Sequence, residues 1–344
     1  MNAQQTLALR GAPGSPYTRK MLALLRYRRI AYRLLVSHSA VASLPQPKVA
    51  LLPTFYFPDG QGGLEAVVDS TPIIRRLERD YGGRSVIPPD PVMSFIDELL
   101  EDYGDEWLTK AMFHYRWVYA PDIDLASDII PRWRDVSGAE DLMRQQKDMF
   151  AKRQIGRLGV VGSNATTGPV IEASYQRFLH LMREHLQTQP FLMGQRPGAS
   201  DFAVYGQLTQ LTHFDPTPTA LAQRIAPRVF AWVDVMEDLS GLEADDDAWT
   251  PTSSIPDTLR ALLAEVGRVY VPVLLANARA LQSGATQLQA VIDGQPWVQE
   301  PFRYQGLCLK WLRESHARLA EGPRAQVDRL LVECGCADLI HAKL

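Results

Sequence analysis

Two short segments carry polar residues at the predicted starts of helices, where an anion could bind. Ser15 and Pro16 precede a mainly apolar stretch over residues 21–25, which predicts a helix with Ser15 as its N-cap and Pro16 in the first turn. Asp69 and Ser70 stand in the same way before the sequence TPIIRRLERDY, which ends at a Gly-Gly pair. A helix N-terminus offers unpaired amide donors and about half a positive charge, so each segment could hold an anion. Taken alone, each is also an ordinary helix cap.

The charge of the chain is distributed unevenly along its length. The net charge is only -3, which argues against general nucleic-acid binding. Residues 1–85 nevertheless carry 12 Lys and Arg against 5 Asp and Glu, whereas residues 86–250 carry 14 against 25. A basic first segment favours a small anionic ligand, although it could equally dock on the acidic segment that follows. Both interpretations stay open at this stage.

The elements that must position the two segments follow from the apolar pattern of the first 86 residues. Short apolar runs predict four strands, at residues 7–9, 31–36, 54–57 and 64–68. A Gly-rich turn between the last two predicts a hairpin. With the helices after Ser15 and Asp69, the order is β-α-β, an irregular stretch, then β-β-α. An α/β domain is therefore predicted over residues 1–86.

A proline-rich segment, Ile87 to Pro91, predicts the boundary to an all-helical domain over residues 92–250. Apolar residues at three- and four-residue spacing predict its helices, at residues 92–118, 139–157, 170–188, 199–212 and 226–240. A weaker boundary near residue 250 begins a helical extension over residues 251–344, with helices predicted at 256–282, 302–320 and 323–334. Asp293-Gly294 predicts a small hairpin within it.

Length and composition limit the class of protein. A chain of 344 residues with 46% hydrophobic and 22% charged residues predicts two or three globular domains. No apolar run approaches the roughly 18 residues that cross a bilayer, and the N-terminus lacks a secretory pattern, so we expect a cytoplasmic protein without a membrane partner. Three cysteines, all after residue 300, are too few for a disulfide framework or a four-ligand zinc site. We expect reduced thiols and no metal.

Three segments resemble elements that glutathione transferases carry in the same order along the chain. They are the two capping segments and, between them, Leu52-Pro53-Thr54, which precedes the third strand. Ser15-Pro16-Tyr17, with Arg19, resembles the serine-type or cysteine-type start of the family's first helix. Leu52-Pro53 resembles its Val-Pro element, whose proline is cis, and Asp69-Ser70 resembles its Glu/Asp-Ser pair. The resemblance covers roughly residues 5–240 and implies a thioredoxin-like N-terminal domain, an all-α domain and glutathione as co-substrate.

The resemblance implies a role for each of these residues. The Ser15 hydroxyl would donate to the glutathione sulfur, and the backbone of Leu52, beside Pro53, would pair with the cysteinyl unit. Asp69 would meet the ammonium of the γ-glutamyl end, while Ser70 and the helix amides would take its α-carboxylate. These five residues form the predicted glutathione site.

The Ser15 hydroxyl and the helix end together suffice to keep the thiol ionised. An unperturbed thiol has a pKa near 8.5, and lowering that pKa by about two needs about 2.7 kcal/mol. A charge-assisted hydrogen bond contributes about 1.5–3 kcal/mol and a helix end about 0.3–2 kcal/mol. Tyr17 could replace Ser15 if the loop is shifted, and Lys48, in the irregular stretch, could reach the glycyl carboxylate. Because residue 15 is not cysteine, it cannot form a mixed disulfide.

A row of aromatic and basic residues in the helical domain is the candidate pocket for an electrophile. Tyr103, Trp107, Lys110, His114 and Trp117 follow one another at intervals of four, three, four and three, which predicts one helix face. Such a row is more often core, but the two basic residues in it favour the wall of a cleft because a buried lysine is rare. We therefore expect His114 and Trp117 to contact the electrophile.

One segment of the helical domain departs from the family pattern. The sequence GQRPGASD, residues 194–201, resembles the family's capping box, in which Ser or Thr stands three residues before Asp. Gly198 occupies that position here. We interpret Asp201 as structural and expect the helix to form, since a glycine cap costs only a few tenths of a kcal/mol.

The expected function is a glutathione transferase-like enzyme that delivers the glutathione thiolate to a hydrophobic electrophile, and the resemblance implies a homodimer. Two alternatives remain. The chain could be a non-catalytic member of the same fold that binds a protein or another ligand. It could also be a glutathione-dependent lyase or isomerase, in which the tripeptide is regenerated.

Overall fold

The N-terminal part of the chain forms a four-stranded sheet with three helices. The computed structural model describes residues 6–343. Its first elements, in chain order, are β1 (Leu7–Arg10), α1 (Pro16–Tyr27), β2 (Tyr32–Leu35), α2 (His38–Val41), β3 (Thr54–Pro58), β4 (Leu64–Val67) and α3 (Ser70–Asp80). The sheet order is β2-β1-β3-β4, with β1 parallel to β2 and antiparallel to β3. The predicted thioredoxin-like order is confirmed, and the short helix α2 is an addition to it.

The alternation of residues along the strands explains which side chains of the sheet face α1 and α3. Leu7 and Leu9 on β1, and Phe55 and Phe57 on β3, are two residues apart, so each pair lies on one face, where all four are buried. They share a core with apolar residues of α1 and α3, among them Met21, Leu24, Leu25, Ile73, Ile74 and Leu77. The core thus fixes the two helices whose first residues carry the predicted site.

The rest of the chain is mainly helical. The helices up to residue 236 are α4 (Pro91–Tyr103), α5 (Thr109–Val118), α6 (Ala120–Arg132), α7 (Glu140–Ile155), α8 (Gly168–His185), α9 (Ala199–His213), α10 (Pro216–Ile225) and α11 (Pro227–Met236). A π-helical turn, Gly104–Leu108, connects α4 to α5. Helices α6 and α10 are not among the predicted ones, and each begins with a proline, Pro121 or Pro216. Proline is tolerated in the first turn of a helix, and both prolines lie there.

Helix α9 is the centre of the helical region, with 14 of its 15 residues buried. It packs against both α1 and α4. The contact with α1 is close, because a Cβ atom at Gly206 would lie 2.5 Å from the carbonyl oxygen of Pro16. Only glycine permits this approach of the two backbones. The first turn of α1, which follows Ser15, therefore rests directly on the helical region.

Two aspartates cap the start of α9. Asp201 accepts hydrogen bonds from the backbone amides of Gly198 at 2.9 Å and Leu192 at 2.8 Å, which confirms its structural role. Asp97 of α4 accepts from the amides of residues 199–200 at 3.2 and 3.0 Å. A Cβ atom at Gly198 would collide with the Asp97 carboxylate. The departure from the family pattern thus makes room for a cap that another helix supplies.

The extension adds five helices and a hairpin to the described chain. Its elements are α12 (Asp257–Glu265), α13 (Val271–Ser283), β5 (Leu288–Ile292), β6 (Gln295–Gln299), α14 (Arg303–Arg318), α15 (Glu321–Glu333) and α16 (Asp338–His341). A π-helical turn, Val266–Tyr270, connects α12 to α13. The predicted hairpin is confirmed, since Asp293 and Gly294 have φ angles of 52° and 73°, as a type I′ turn requires.

The extension packs against the outer side of α4. Helices α14 and α15 contact α4, and Ser315 of α14 donates a hydrogen bond to Glu98 at 2.6 Å. Trp297 of β6 lies against Trp107, with ring centroids 5.5 Å apart. The hydrophobic core continues from the sheet to α15 and α16. The division into domains at residues 86 and 250 therefore stays a prediction.

Two further expectations concern the chain as a whole. Among residues 6–343, no helix is both long and apolar enough to cross a membrane. The predicted absence of a secretory signal depends partly on residues 1–5, which lie outside the described residues. The three cysteines carry free thiols, as expected, and all three are buried.

Candidate functional site

Ser15 lies at the N-terminus of α1, where its hydroxyl makes two contacts. Its oxygen accepts a hydrogen bond from the backbone amide of Thr18 at 3.2 Å, which confirms the predicted N-cap. The hydroxyl donates to the carbonyl oxygen of Leu52 at 3.4 Å. The bond between Leu52 and Pro53 is cis, as predicted. The structure thus brings Ser15, Leu52 and Pro53 together, 37 residues apart in sequence.

The loop before Ser15 is held by side chains of the helical region. Arg116 of α5 is buried and donates to the carbonyl oxygen of Gly14 at 3.2 Å. Gln210 of α9 donates to the carbonyl oxygen of Pro13 at 3.3 Å. Arg116 is itself fixed by Asp215, whose carboxylate it meets at 2.8 Å. The position of Ser15 therefore depends on both parts of the molecule.

Asp69 lies at the second predicted corner, in an unusual backbone conformation. Its φ angle is 81°, which non-glycine residues rarely adopt and which is often found at functional sites. One carboxylate oxygen, Oδ1, accepts from the amide of Thr71 at 3.3 Å. The other, Oδ2, accepts from the hydroxyl of Tyr304 at 2.8 Å. A residue of the extension thus contacts the carboxylate that the sequence assigns to the ligand.

Ser70 is oriented by a buried lysine. The ammonium of Lys20 donates to the Ser70 hydroxyl oxygen at 3.1 Å, to Glu101 at 2.8 Å and to Asp105 at 2.6 Å. Burial disfavours the charge, but Asp105 and Glu101 outweigh it and raise the pKa of Lys20 to about 12. Because an ammonium has no acceptor, the Ser70 oxygen must accept from it, and the Ser70 hydrogen is directed elsewhere. The Ser70 hydroxyl could therefore donate this hydrogen to a ligand carboxylate.

Tyr17 and Lys48 occupy contrasting environments. The Tyr17 hydroxyl donates to the carbonyl oxygen of Asp105 at 2.8 Å, and burial, with Glu106 and Asp105 nearby, raises the pKa of Tyr17 well above its usual value. Tyr17 therefore joins α1 to the π-helical turn after α4. Lys48 is exposed in the loop between α2 and β3. Both stay predictions as ligand contacts.

The predicted row in the helical domain is buried along its whole length. The π-helical turn between α4 and α5 contains Trp107, and all five residues of the row are at most 4% exposed. His114 contacts the Ser163 hydroxyl at 2.8 Å and Glu172 at 3.0 Å, through its two ring nitrogens. Trp117 packs against Phe150. These contacts are those of a packed interior. The row therefore does not form the exposed wall of a cleft that Lys110 and His114 suggested. Contact of His114 and Trp117 with an electrophile stays a prediction.

A groove of about 530 Å³ lies beside the sheet, away from these residues. Its lining includes Arg33, Ser43, Tyr56 and Arg76. None of the predicted glutathione-site residues lines this groove, as far as the described part of the chain shows. It is therefore separate from the site at the starts of α1 and α3.

Comparisons with known proteins concern the domain that contains the starts of α1 and α3. Residues 9–85 match the family model described as glutathione S-transferase, N-terminal domain. This part of the chain belongs to that family. The resemblance inferred from the sequence is thereby confirmed for the glutathione S-transferase N-terminal domain, which contains Ser15, Pro53 and Asp69. No curated protein matches the chain.

Solved structures of glutathione transferase family members are similar to this chain at low identity. A tau class enzyme from mango, Mangifera indica, is 17% identical, with 76% of this chain and 100% of that chain covered and a TM-score of 0.38. A family member from Pseudomonas fluorescens Pf-5 with two glutathione molecules bound is 16% identical, with 69% and 95% covered and a TM-score of 0.42. Maleylacetoacetate isomerase from Anaeromyxobacter dehalogenans is 16% identical, with 72% and 97% covered and a TM-score of 0.35.

Carboxyl groups accumulate where the glutathione S-transferase N-terminal domain meets the extension. We call Asp102, Asp105 and Glu106 the acidic seam. Burial raises the pKa of these groups, to about 7, 6 and 8 respectively. The extension contributes partners to the seam, because Tyr270 donates to Asp102 at 2.6 Å and Gln305 donates to Glu106 at 3.5 Å. The seam therefore carries partial negative charge near neutral pH.

Four residues around the N-terminal domain are missed by sequence reasoning. Lys20 stands in a predicted amphipathic helix, where a lysine is normally exposed. Arg116, Gln210 and Tyr304 lie 102, 197 and 235 residues from the groups they contact. No local pattern marks any of them. Their contacts with distant parts of the fold distinguish them from ordinary surface residues.

Proposed function

We propose that this chain binds glutathione between the starts of α1 and α3 and presents its thiolate to an electrophilic small molecule. The observation that carries the proposal is the position of the Ser15 hydroxyl, which caps α1 and lies 3.4 Å from the Leu52 carbonyl. A hydrogen bond of that length is weak and readily exchanged. Ser15 can therefore turn its hydrogen from Leu52 towards a sulfur anion while its oxygen continues to cap the helix.

The thiolate would be stabilised by three groups that act together. The Ser15 hydroxyl supplies one charge-assisted hydrogen bond, and the free amides of α1 supply the positive end of the helix dipole. The basic charge of the N-terminal domain adds a longer-range contribution. Together the first two lower the thiol pKa by about two, since the hydrogen bond contributes about 1.5–3 kcal/mol and the helix end about 0.3–2 kcal/mol. No general base is needed.

The other end of the tripeptide would bind at α3. Asp69 would pair with the γ-glutamyl ammonium, and the Ser70 hydroxyl, whose hydrogen Lys20 leaves free, would donate to the α-carboxylate. The backbone of Leu52 would pair with the cysteinyl unit, and Lys48 would meet the glycyl carboxylate. The arrangement places the sulfur at Ser15 and the amine at Asp69.

Ser15 is a better candidate than Tyr17 for the group that activates the thiol. The Tyr17 hydroxyl already donates to a backbone carbonyl at 2.8 Å, so its hydrogen is not free for the sulfur. A serine also cannot form a disulfide, so conjugation is favoured over thiol-disulfide exchange. The bound electrophile would be hydrophobic, with His114 and Trp117 as its proposed contacts.

Calorimetry and kinetics of Ser15→Ala test this proposal. We expect the parent to bind glutathione at millimolar concentration or below. The variant should keep that affinity within about threefold, while the pKa of the bound thiol rises by about one to two and conjugation slows about 10- to 100-fold. Ser37→Ala is the matched control, because Ser37 caps α2 in the same way.

Three outcomes would contradict parts of the proposal. Absence of glutathione binding by the parent would reject it as a whole. Tight binding without conjugation of any electrophile would identify a binding protein instead of an enzyme. Recovery of unchanged glutathione together with a rearranged substrate would identify an isomerase or lyase.

The proposed homodimer must avoid the surface that the extension covers. Helices α14 and α15 occupy the outer side of α4 within one chain. A dimer would therefore use another face of the helical region or of the N-terminal domain. Light scattering of the full chain gives the oligomeric state. A cytoplasmic location stays a prediction, which cell fractionation can test.

A further inference from the structure

We infer that Tyr304, a residue of the extension, forms part of the subsite for the amino end of the ligand and makes the site select ligands with a free amine. The inference rests on the proposed function, in which glutathione is that ligand. It assigns to the extension a direct role in recognition. The argument starts from the contact between Tyr304 and Asp69.

The contact between Tyr304 and Asp69 is only partly enclosed by protein. The Tyr304 hydroxyl donates to Oδ2 of Asp69 at 2.8 Å, and both side chains are only half-buried. The opposite oxygen, Oδ1, accepts only the longer bond from the Thr71 amide, at 3.3 Å. Because a carboxylate has about four acceptor positions, Asp69 keeps capacity for further donors. A ligand group can therefore join the pair without displacing Tyr304.

The chemistry of the pair favours an ammonium. The Tyr304 hydrogen is directed at Asp69, so the phenol oxygen presents only lone pairs to a ligand. An ammonium has three donors and no acceptor, and it can meet that phenol oxygen and Oδ1 of Asp69 together. A ligand with hydrogen in place of the amine leaves the phenol oxygen without a donor and loses the charged contact to Oδ1. The pair therefore distinguishes a ligand with a free amine from one without it.

The charges around Tyr304 also favour a cation. Asp69 contacts the phenol directly, and burial together with this carboxylate raises the pKa of Tyr304, so its hydroxyl stays protonated. Lys20 is the nearby base, but its ammonium is already bonded to Ser70, Glu101 and Asp105. The positive end of a ligand is therefore attracted to Tyr304 rather than repelled from it.

Tyr304 is held in place by the extension itself. It lies in the first turn of α14, and its ring meets Trp311 edge to face at 6.0 Å. Helix α14 is fixed on α4 by packing and by the hydrogen bond from Ser315 to Glu98. A side chain positioned in this way is preorganised, so little conformational entropy is lost when the ligand binds.

The test compares glutathione with an analogue whose γ-glutamyl amine is replaced by hydrogen, both measured by calorimetry on the full chain. We expect the parent to bind glutathione more than about tenfold tighter than the analogue, because the amine makes a charged contact. Tyr304→Phe should lose about three- to tenfold in affinity for glutathione. Its affinity for the analogue should stay unchanged, which a general loss of structure would not produce.

Tyr270→Phe is the matched control. It removes another hydroxyl of the extension that donates to a carboxylate, Asp102, which is not one of the proposed ligand contacts. We expect a lower melting temperature and the same preference for the amine as in the parent. If Tyr270→Phe reduced that preference as much as Tyr304→Phe, the effect would be structural and the inference would be wrong.

The remaining outcomes separate the inference from the proposed function. If the parent binds glutathione and Tyr304→Phe keeps the full preference for the amine, only the inference fails. If Tyr304→Phe binds glutathione more tightly than the parent, Tyr304 obstructs the site and the inference is likewise overturned. If the parent binds neither compound, the proposed function itself is rejected.

Discussion

The two ends of the candidate site differ in how they are built. At the sulfur end, Ser15 caps its own helix and makes one long hydrogen bond to Leu52, so its hydroxyl can be redirected at little cost. At the amino end, Asp69 and Ser70 are already bonded to Tyr304 and Lys20, which come from the extension and from α1. The hydroxyl at the sulfur end can therefore exchange one hydrogen-bond partner for another. The amino end is a fixed framework of hydrogen bonds to which a ligand would add its own.

The difference shows where specificity and reactivity would be determined. A hydroxyl with exchangeable partners suits a group whose charge changes during reaction. A framework of buried charges suits recognition, because its geometry does not alter on binding. Variants that weaken the framework should therefore affect stability and affinity, while variants at Ser15 should affect the rate of reaction.

The largest expected effect comes from Lys20→Met, which removes the only ammonium bonded to Glu101 and Asp105 among the described residues. Asp105 loses its cation, and Glu101 keeps only Arg75 and Thr71 as partners, so the free energy of unfolding should fall by about 3–5 kcal/mol. Urea denaturation measures the change. Lys147→Met removes an exposed pair with Asp124 and should change stability by less than about 1 kcal/mol. Equal effects of the two variants would show that the framework is not buried as described.

Asp69→Asn should give the next largest effect, on affinity rather than stability. Asparagine keeps the contact with Tyr304 but removes the charge that the ligand ammonium meets. We expect calorimetry to give a dissociation constant for glutathione that is about 10- to 100-fold higher, with an unchanged melting temperature. Asp59→Asn is the control, since Asp59 caps a turn of the β3–β4 hairpin in the same domain. A loss of affinity in both variants would argue against a local role for Asp69.

A smaller effect is expected for Asp102→Asn and depends on pH. The folded pKa of Asp102 is about 7 because of burial, above the value of about 3.9 in an unfolded chain. Between these values the unfolded chain releases its proton first, so the parent loses stability as pH rises towards 7. Asparagine avoids this loss and still accepts from Tyr270. The variant should be about 1–3 kcal/mol more stable than the parent at pH 8 and equal to it near pH 4.

Thermal unfolding at the two pH values checks this prediction. Asp148→Asn, at an exposed position of α7, is the control and should show no difference between them. A constant gain at both pH values would mean that Asp102 does not titrate in the expected range, and the acidic seam would then lack the predicted charge.

The smallest effect is expected for Lys48→Ala. The side chain is exposed in the loop before β3, and exposed ion pairs contribute at most about 1 kcal/mol. The dissociation constant for glutathione should rise by less than about fivefold. A larger increase would show that the loop closes over the glycyl end and that the site is less open than the framework at Asp69 suggests.

Much of the fold follows from local signals that the sequence carries. Ser15 and Asp69 are readable as caps because the residue types and the early prolines act within one turn. The hairpin at Asp293-Gly294 is readable because two positive φ angles favour this pair. Helices α6 and α10 cannot be predicted in this way, because a proline in the sequence is compatible with a loop as well as with the first turn of a helix.

The rest of the site depends on contacts between distant parts of the chain. The cap that Asp97 provides for α9 is more than 100 residues away in sequence, and Gly198 alone looks like a defect. Lys20 has the sequence context of a surface residue, but in the fold it is buried against Glu101 and Asp105. Tyr304 lies in a segment beyond the family resemblance. Each is determined by packing, which a pattern along one chain does not contain.

The close approach at Gly206 makes the position of Ser15 depend on a residue outside the predicted site. With the Pro16 carbonyl 2.5 Å from where a side chain would begin, any residue larger than glycine would have to push α1 away from α9 at this point. Ser15, which directly precedes Pro16, would move with that end of the helix. The reactive end of the site is therefore set by the spacing of two helices as well as by the residues that line it.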